Sequence, residues 1–499
     1  MKQNVPTRTL LTALALTTLL AGCGGGGAKS ADAAPEPPVP MMAESPRGLA
    51  LNSVVEPTKP DTSPEHLTQI YISTAQKIKT TMLECPEKIW PGYSWKEMNV
   101  LMLLKNGPSL VWKGETGAIE PIRAEEIPAT AYDGLYSFFP WKNENAVSVS
   151  LQSPGADGYA DEENLLGLIV HEGFHYLGQR DWTLRHAARG TNFPMQAAPR
   201  IYRRLLNDRL ADYVVSEGKN PEALGKAAFW FQKWSKEFPD EVQAAADGYE
   251  GTARYVQALA PAVAQLGCAV SDEALLSHIK QQLLTQGAFS LGPYILELDS
   301  ESYSIGALSA LTLRLIEKNQ QWFEAMKTGT TPTEFLLKDV PPIEDTPGEA
   351  LPKDYESETA KYNQVVAEWL GDDLTKLFLP ETVRIYIPAS ATHGSYTPRG
   401  FFLPKGQPGT TVIPLADEYP LSSDGWALTA KTGANLFKVP QAPCENTIQT
   451  SGAFILIAAP TDAHVGPADQ LEIHTRELDG KVVGDWKTDP NGLKWFCAK

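Results

Sequence analysis

The segment "LLGLIVHEGFHYLGQRD", Leu165 to Asp181, constrains this chain more than any other. Its apolar residues demand burial, yet it carries two of the chain's 8 histidines, with a glutamate directly after the first. On an α-helix, residues four apart share a face. At ~100° per residue, His171 and His175 lie ~40° apart, so both imidazoles can reach one ion. Glu172 sits ~100° from His171, beside the ion rather than on it. Leu166, Ile169, Val170, Phe174 and Leu177 take the opposite arc, and their burial fixes the helix while the polar face meets a cleft. The plainer alternative is a core helix whose histidines are merely satisfied. The position of Glu172 argues for a metal site instead, because a carboxylate there can take a proton from a water that the ion activates.

A catalytic zinc takes three protein ligands, with histidine nitrogens at ~2.0–2.1 Å, and keeps one position for water. Two residues compete to be the third. Glu250 stands in "DGYEGTARYVQALA", a later stretch with helical spacing. Asp181 is reached by reading the motif onward as H-E-x-x-H-x-x-G-x-x-D, with Gly178 breaking the helix and swinging the aspartate back. Glu217 in "VVSEGK" is a third option.

"HEGFH" followed far downstream by "YEGTARY" resembles the gluzincin class of zinc metallopeptidases, over residues 66–340. The resemblance implies Zn²⁺ held by His171, His175 and Glu250, with Glu172 as general base. It implies an α+β, zincin-like domain: a small mixed sheet, an active-site helix and a helical C-terminal lobe. "NAVSVSLQ", residues 145–152, would be the edge strand that aligns substrate. A tyrosine of the helical lobe would donate to the developing oxyanion; Tyr303 is the choice, with Tyr255 and Tyr294 as rivals. One position departs from the pattern. Where some gluzincins carry an aspartate supporting the first histidine, this chain has Arg254, leaving Asp247 or Asp208 for that role. The Asp181 reading resembles the metzincins instead, with aspartate for their third histidine and Met195 as the methionine-turn residue.

The rest of the chain frames this domain. Lys2, Arg8 and the short apolar run "TLLTALALTTLL" read as a signal peptide over residues 1–22. "LAGC" resembles the bacterial lipobox, which makes Cys23 the lipidated N-terminus and the membrane anchor. Gly24 is not the aspartate that retains lipoproteins in the inner membrane, so the outer membrane is expected. Residues 23–64, rich in Gly, Pro and Ala, read as a tether. Residues 65–340 form the peptidase-like domain, 341–379 a linker and helix, and 380–499 a small β-domain of sandwich type. Asn106-Gly107 marks a hairpin. Of the four cysteines after Cys23, the expected pairs are Cys85–Cys268 and Cys444–Cys497, each within one domain. The formal charge of −17 argues against a nucleic-acid partner.

The sequence thus predicts zinc-dependent hydrolysis of peptide bonds in a protein or peptide substrate at the cell envelope. The competing expectations are a catalytically silent scaffolding lipoprotein and a metzincin-like peptidase using Asp181.

Overall fold

A computed structural model of the chain describes residues 61–499, except 106, 129–130, 132–134, 154–158, 160, 184–188, 287–288, 290, 292–295, 317–320, 389–390, 393–395, 424, 440–441, 445–452, 460 and 467–468. The signal peptide, Cys23, nearly all of the tether and Tyr294 lie outside the described residues.

The fold is α+β. An N-terminal helix, α1 (Pro64–Ile78), starts at Ser63, whose hydroxyl accepts from the His66 amide. After the short α2 (Pro86–Ile89) come five strands: β1 (Met98–Met102), β2 (Ser109–Trp112), β3 (Ile119–Ile122), β4 (Tyr136–Trp141) and β5 (Glu144–Val149). They form one sheet in the order β3-β2-β1-β5-β4. β1 and β2 make the hairpin expected around Gly107. β1 and β5 run parallel, and β4 returns antiparallel to β5. The segment expected to be the substrate-aligning edge is therefore internal. Its residues Ala146 to Val149 are all buried, so it needs neighbours on both sides, and β4 takes the edge.

The helical part follows: α3 (Glu162–Gly173), α4 (Ala197–Val215), α5 (Pro221–Glu237), α6 (Pro239–Ala244), α7 (Tyr249–Leu266), α8 (Asp272–Gln286), α9 (Leu298–Ile316), α10 (Trp322–Lys327) and α11 (Pro332–Leu337). α12 (Ala350–Leu370) and α13 (Asp373–Lys376) lead to the C-terminal strands. Residues 341–349, expected as a linker, are pinned rather than free: the Ile343 amide donates to Gly225, and Asp345 pairs with Arg209 and accepts from Trp230.

The C-terminal part is all-β, as expected: β7 (Val383–Ile387), β8 (Phe402–Pro404), β9 (Thr411–Pro414), β10 (Tyr419–Ser423), β11 (Trp426–Ala430), β12 (Asn435–Lys438), β13 (Phe454–Ala458), β14 (Ala463–Val465), β15 (Gln470–His474), β16 (Leu478–Thr488) and β17 (Lys494–Ala498). It is not isolated from the rest. β6 (Thr191–Phe193), lying between α3 and α4 in sequence, pairs in parallel with β8 and so joins the C-terminal sheet. One apolar core runs from α1 through the first sheet and the helices to Phe402, Val412, Phe437 and Ile455 on one face of the C-terminal sheet. The opposite face, with Ile413, Leu436, Phe454 and Leu456, closes a second core. Both expected disulfides are present, Cys85–Cys268 and Cys444–Cys497. Paired cysteines are the habit of chains that mature in an oxidising compartment. Among the described residues no helix is long and apolar enough to cross a membrane.

Candidate metal centre

α3 starts where the sequence asks it to. Asp161 accepts from the amides of Glu163 and Asn164, and Glu162 and Glu163 lie in the first turn, where the helix dipole favours acids. Its other end departs from the α-helical expectation. Residues 174–178 form a π turn, closed by the Gln179 amide on the Phe174 carbonyl. Such turns occur mostly as single insertions in α-helices, frequently at functional sites. The helix is also buried on every side rather than on one arc: His171, Glu172 and Gly173 are as enclosed as Leu166 and Ile169. Gly173 explains part of this. A Cβ there would lie 2.4 Å from the Trp95 ring, so only glycine lets the sheet pack so closely on the motif.

His171, His175 and Glu250 converge. His175 Nε2 lies 3.0 Å from His171 Nε2 and 3.2 Å from Glu250 Oε2, and His171 Nε2 lies 3.3 Å from the same oxygen. A tetrahedron with arms of ~2.0–2.1 Å has edges of ~3.3–3.4 Å, so these three atoms mark one face of a zinc-sized tetrahedron. Glu250 reaches the cluster from the first turn of α7 and is fully buried. Close contact between α7 and α9 seats it: Gly251 and Gly306 are so near that a Cβ on Gly251 would lie 2.4 Å from the Gly306 Cα.

The surroundings set the protonation of the donors. Gln179, 2% exposed, donates its amide NH₂ to the Tyr249 carbonyl and the Thr252 hydroxyl, at 2.8 and 2.7 Å. That fixes which way the amide points, so its oxygen faces His175 Nδ1 at 2.6 Å. The oxygen can only accept. His175 Nδ1 therefore carries a proton, which leaves Nε2 as the atom that would give a lone pair to an ion. Burial holds the His171 imidazole down to about 4, against the pull of Glu250, so it is neutral near pH 7. For His175 burial again favours the neutral ring, but the charges of Glu250 and Glu172 outweigh it and raise the value. Burial would raise the Glu250 carboxyl; Arg189 and then His175 reverse this and hold it well below the usual range. His171 is thus neutral and Glu250 ionised, as a divalent-metal site requires, whereas His175, drawn up by its two carboxylate neighbours, would give up a proton on binding an ion.

Aromatic rings clamp the imidazoles. Tyr249 stacks on His175 with centroids 3.9 Å apart, and Tyr303 lies parallel to His171 at 5.8 Å. Tyr303 thus stands beside the cluster. Tyr255 does not: its ring packs on Trp90 and Trp322, and its hydroxyl accepts from Arg314. Glu172 is buried and acts electrostatically on His175. The other ligand options fall away. Asp181 is exposed and 3.8 Å from its own neighbour Arg180, because the chain after Gly178 turns outward at Gln179 instead of back toward the imidazoles. Glu217 sits on the surface, paired with Lys219 and Lys280. Met195 is buried, with its backbone bracketed by the Asn363 side chain. Asp208 pairs with Arg204, and Asp247 with Arg203, so both carboxylates are engaged away from the histidines of the cluster. Arg254 lies over the Phe289 ring.

Two residues of the site escaped the sequence reading. Gln179 had a readable signal, since it stands four residues after His175 on the same face. Arg189 had none. It lies at the entrance to β6, 7% exposed, with its backbone in the left-handed region at φ 50°. Its guanidinium grips Asp299 through Nε and Nη2, at 2.8 and 3.0 Å, and Nη2 also donates to the Tyr303 hydroxyl at 3.3 Å. Nη2 lies 2.8 Å from Glu250 Oε1 as well. One carboxylate oxygen of Glu250 is thus held by Arg189 and the other faces the two imidazoles.

No protein-family model, curated protein or solved structure matches this chain.

Proposed function

We propose that this protein is a zinc-dependent peptide hydrolase of the cell envelope, built on a gluzincin-like, zincin-type domain. The observation that supports it most is the convergence of His171 Nε2, His175 Nε2 and Glu250 Oε2, from two helices 75 residues apart in sequence, at mutual distances of 3.0–3.3 Å. A buried histidine pair kept only for packing would not need a fully buried carboxylate aimed at the same point, with an arginine holding its other oxygen.

His171, His175 and Glu250 would hold the ion, and a bound zinc would supply Lewis acidity and lower the pKa of water from 15.7 to about 7. Everything else is work for this chain's own groups. Glu172 is the general base: its carboxylate, next to the first ligand, takes the proton of the attacking water and returns it to the leaving amine. Gln179 keeps the His175 lone pair pointed inward, and Tyr249 and Tyr303 fix the ring planes. The Tyr303 hydroxyl, which accepts from Arg189 beside the cluster, would turn its O–H to an oxyanion there. β4, the edge of the first sheet, carries Phe138, which stacks on Tyr176 at 4.8 Å, one residue past His175. An extended substrate added to β4 would run past the cluster. Lipidation at Cys23 would place this activity at the outer membrane.

The decisive comparison is wild type against Glu172→Gln, on zinc content and on turnover of a peptide library. The reading expects about one zinc in both and cleavage only in wild type. Zinc in both with no Glu172-dependent cleavage would favour the silent scaffold.

A further inference from the structure

Arg189 and one lysine offer donors that the site itself does not use. Arg189 is satisfied on one side by Asp299, Glu250 and Tyr303, yet its Nη1 is buried with no hydrogen-bond partner. Its guanidinium lies over the Phe401 ring, 5.2 Å from the centroid, where β8 begins. Lys438, at the end of β12, shares this face of the C-terminal sheet. The register Phe402–Val412–Phe437 puts those three side chains on one face, and hence Phe401 and Lys438 on the other. Lys438 is half-buried and forms no ion pair among the described residues; its ammonium lies over the Phe454 ring at 5.4 Å. Burial, and then the nearby Arg189 charge, push that ammonium down to about 8, so it remains mostly charged at neutral pH. Tyr396 packs edge-on against Phe454.

A half-buried cation beside a second buried cation costs free energy unless an anion joins them. Asp299 and Glu250 engage Arg189 on one side only. What remains is a Lys438 ammonium with no carboxylate against it among the described residues and one unused arm of a planar fork, between aromatic walls. An ammonium and a planar arginine fork together suit a carboxylate.

We propose that Arg189 and Lys438 form a carboxylate-binding subsite where the C-terminal sheet meets the metal cluster, and that it takes the carboxylate of a peptide. Its catalytic meaning rests on the peptidase reading: a peptide anchored there by its C-terminal carboxylate would present a bond near its C-terminal end to the cluster. The subsite also gives the β-domain a task. β6 brings Arg189 to β8, and β12 supplies Lys438, so neither part of the chain builds the subsite alone.

The test separates the subsite from the chemistry by using metal-free full-length protein, where no zinc can bind a carboxylate. Three probes are titrated by calorimetry: N-acetyl-phenylalanine, its amide, and the α-amide of N-acetyl-glutamate, whose carboxylate is in the side chain. The first is expected to bind at least tenfold tighter than its amide. Tighter binding of the glutamate probe than of N-acetyl-phenylalanine would keep the subsite and assign it to acidic side chains. Lys438→Met should lose at least tenfold for the carboxylate probe and nothing for the amide, and Lys438→Arg should restore it. Equal binding of acid and amide to wild type, or an unchanged Lys438→Met, overturns the subsite. Zinc-loaded protein is assayed in parallel. Carboxylate selectivity without Glu172-dependent turnover would sink the peptidase reading and leave the subsite standing.

Discussion

Gln179→Ala is the perturbation with the clearest consequence. The side chain is not one of the three candidate ligands. It accepts from His175 Nδ1 and donates to the Tyr249 carbonyl and the Thr252 hydroxyl. Removing it has two separable effects. First, His175 loses the partner that fixes its tautomer. Loss of such an outer partner costs 10–100-fold in metal affinity, or about 1.4–2.8 kcal/mol. Second, the buried His175 Nδ1–H loses its acceptor, for about 1–3 kcal/mol of metal-free stability. The Tyr249 carbonyl keeps the Thr252 hydroxyl at 3.4 Å, and that hydroxyl keeps its bond to the Gly248 carbonyl, so neither is orphaned. Gln179→Glu separates these effects: it keeps an acceptor for Nδ1 but sets a carboxylate against the Tyr249 carbonyl. Zinc affinity is read by competition with a chromophoric chelator at pH 7.5, and stability by urea unfolding of metal-free protein. The expected pattern is weakened zinc and lowered stability in the alanine variant, with zinc affinity largely kept and stability lowered in the glutamate variant. An alanine variant that binds zinc within twofold of wild type would show that the tautomer is fixed some other way, and the argument from Gln179 would fail.

Three further outcomes follow from the same geometry. Arg189→Met should lower stability by about 3–5 kcal/mol, because Asp299 and Glu250 lose their buried partner, and should weaken zinc; a melting temperature within 2 degrees (an order-of-magnitude bound) of wild type would refute this. Gly251→Ala forces a Cβ against Gly306 and should cost about 1–3 kcal/mol and displace Glu250, whereas Gly248→Ala, with no heavy atom nearer than 3.6 Å to the new Cβ, should leave zinc binding unchanged. Glu297 is pushed up to about 7 by burial, beside the Tyr362 hydroxyl that donates to it. A carboxyl raised in this way adds stability that is complete below its unfolded value near 4.5 and is lost as pH rises through about 7. Glu297→Gln should therefore flatten the fall in stability between pH 5 and pH 8 by about 1–3 kcal/mol; equal slopes in urea titrations of both proteins would contradict the assignment.

Much of the site was legible because local periodicity encodes it. The i, i+4 spacing of His171 and His175 settles their shared face wherever the helix is placed, and Asp161 with its following acids announces where that helix starts. The cysteine pairs could be assigned because each lay within one compositional block. Glu172, the proposed general base, is read from the same helix.

What local spacing cannot carry is the meeting of distant segments. Glu250 and Asp181 were both chemically suitable, and only the packing of α7 against α3 and α9 brings one carboxylate to the imidazoles while leaving the other in water. Arg189 belongs to no motif. It reaches Glu250 because β6 is captured by β8, more than two hundred residues away in sequence, and no periodicity records that pairing. For the same reason the sequence drew a boundary at residue 380 without the β6–β8 pairing that crosses it, and named β5 as the edge where β4 takes it. A strand's neighbours are chosen by the whole surface it must bury, whereas a helix face is fixed by the residues within it.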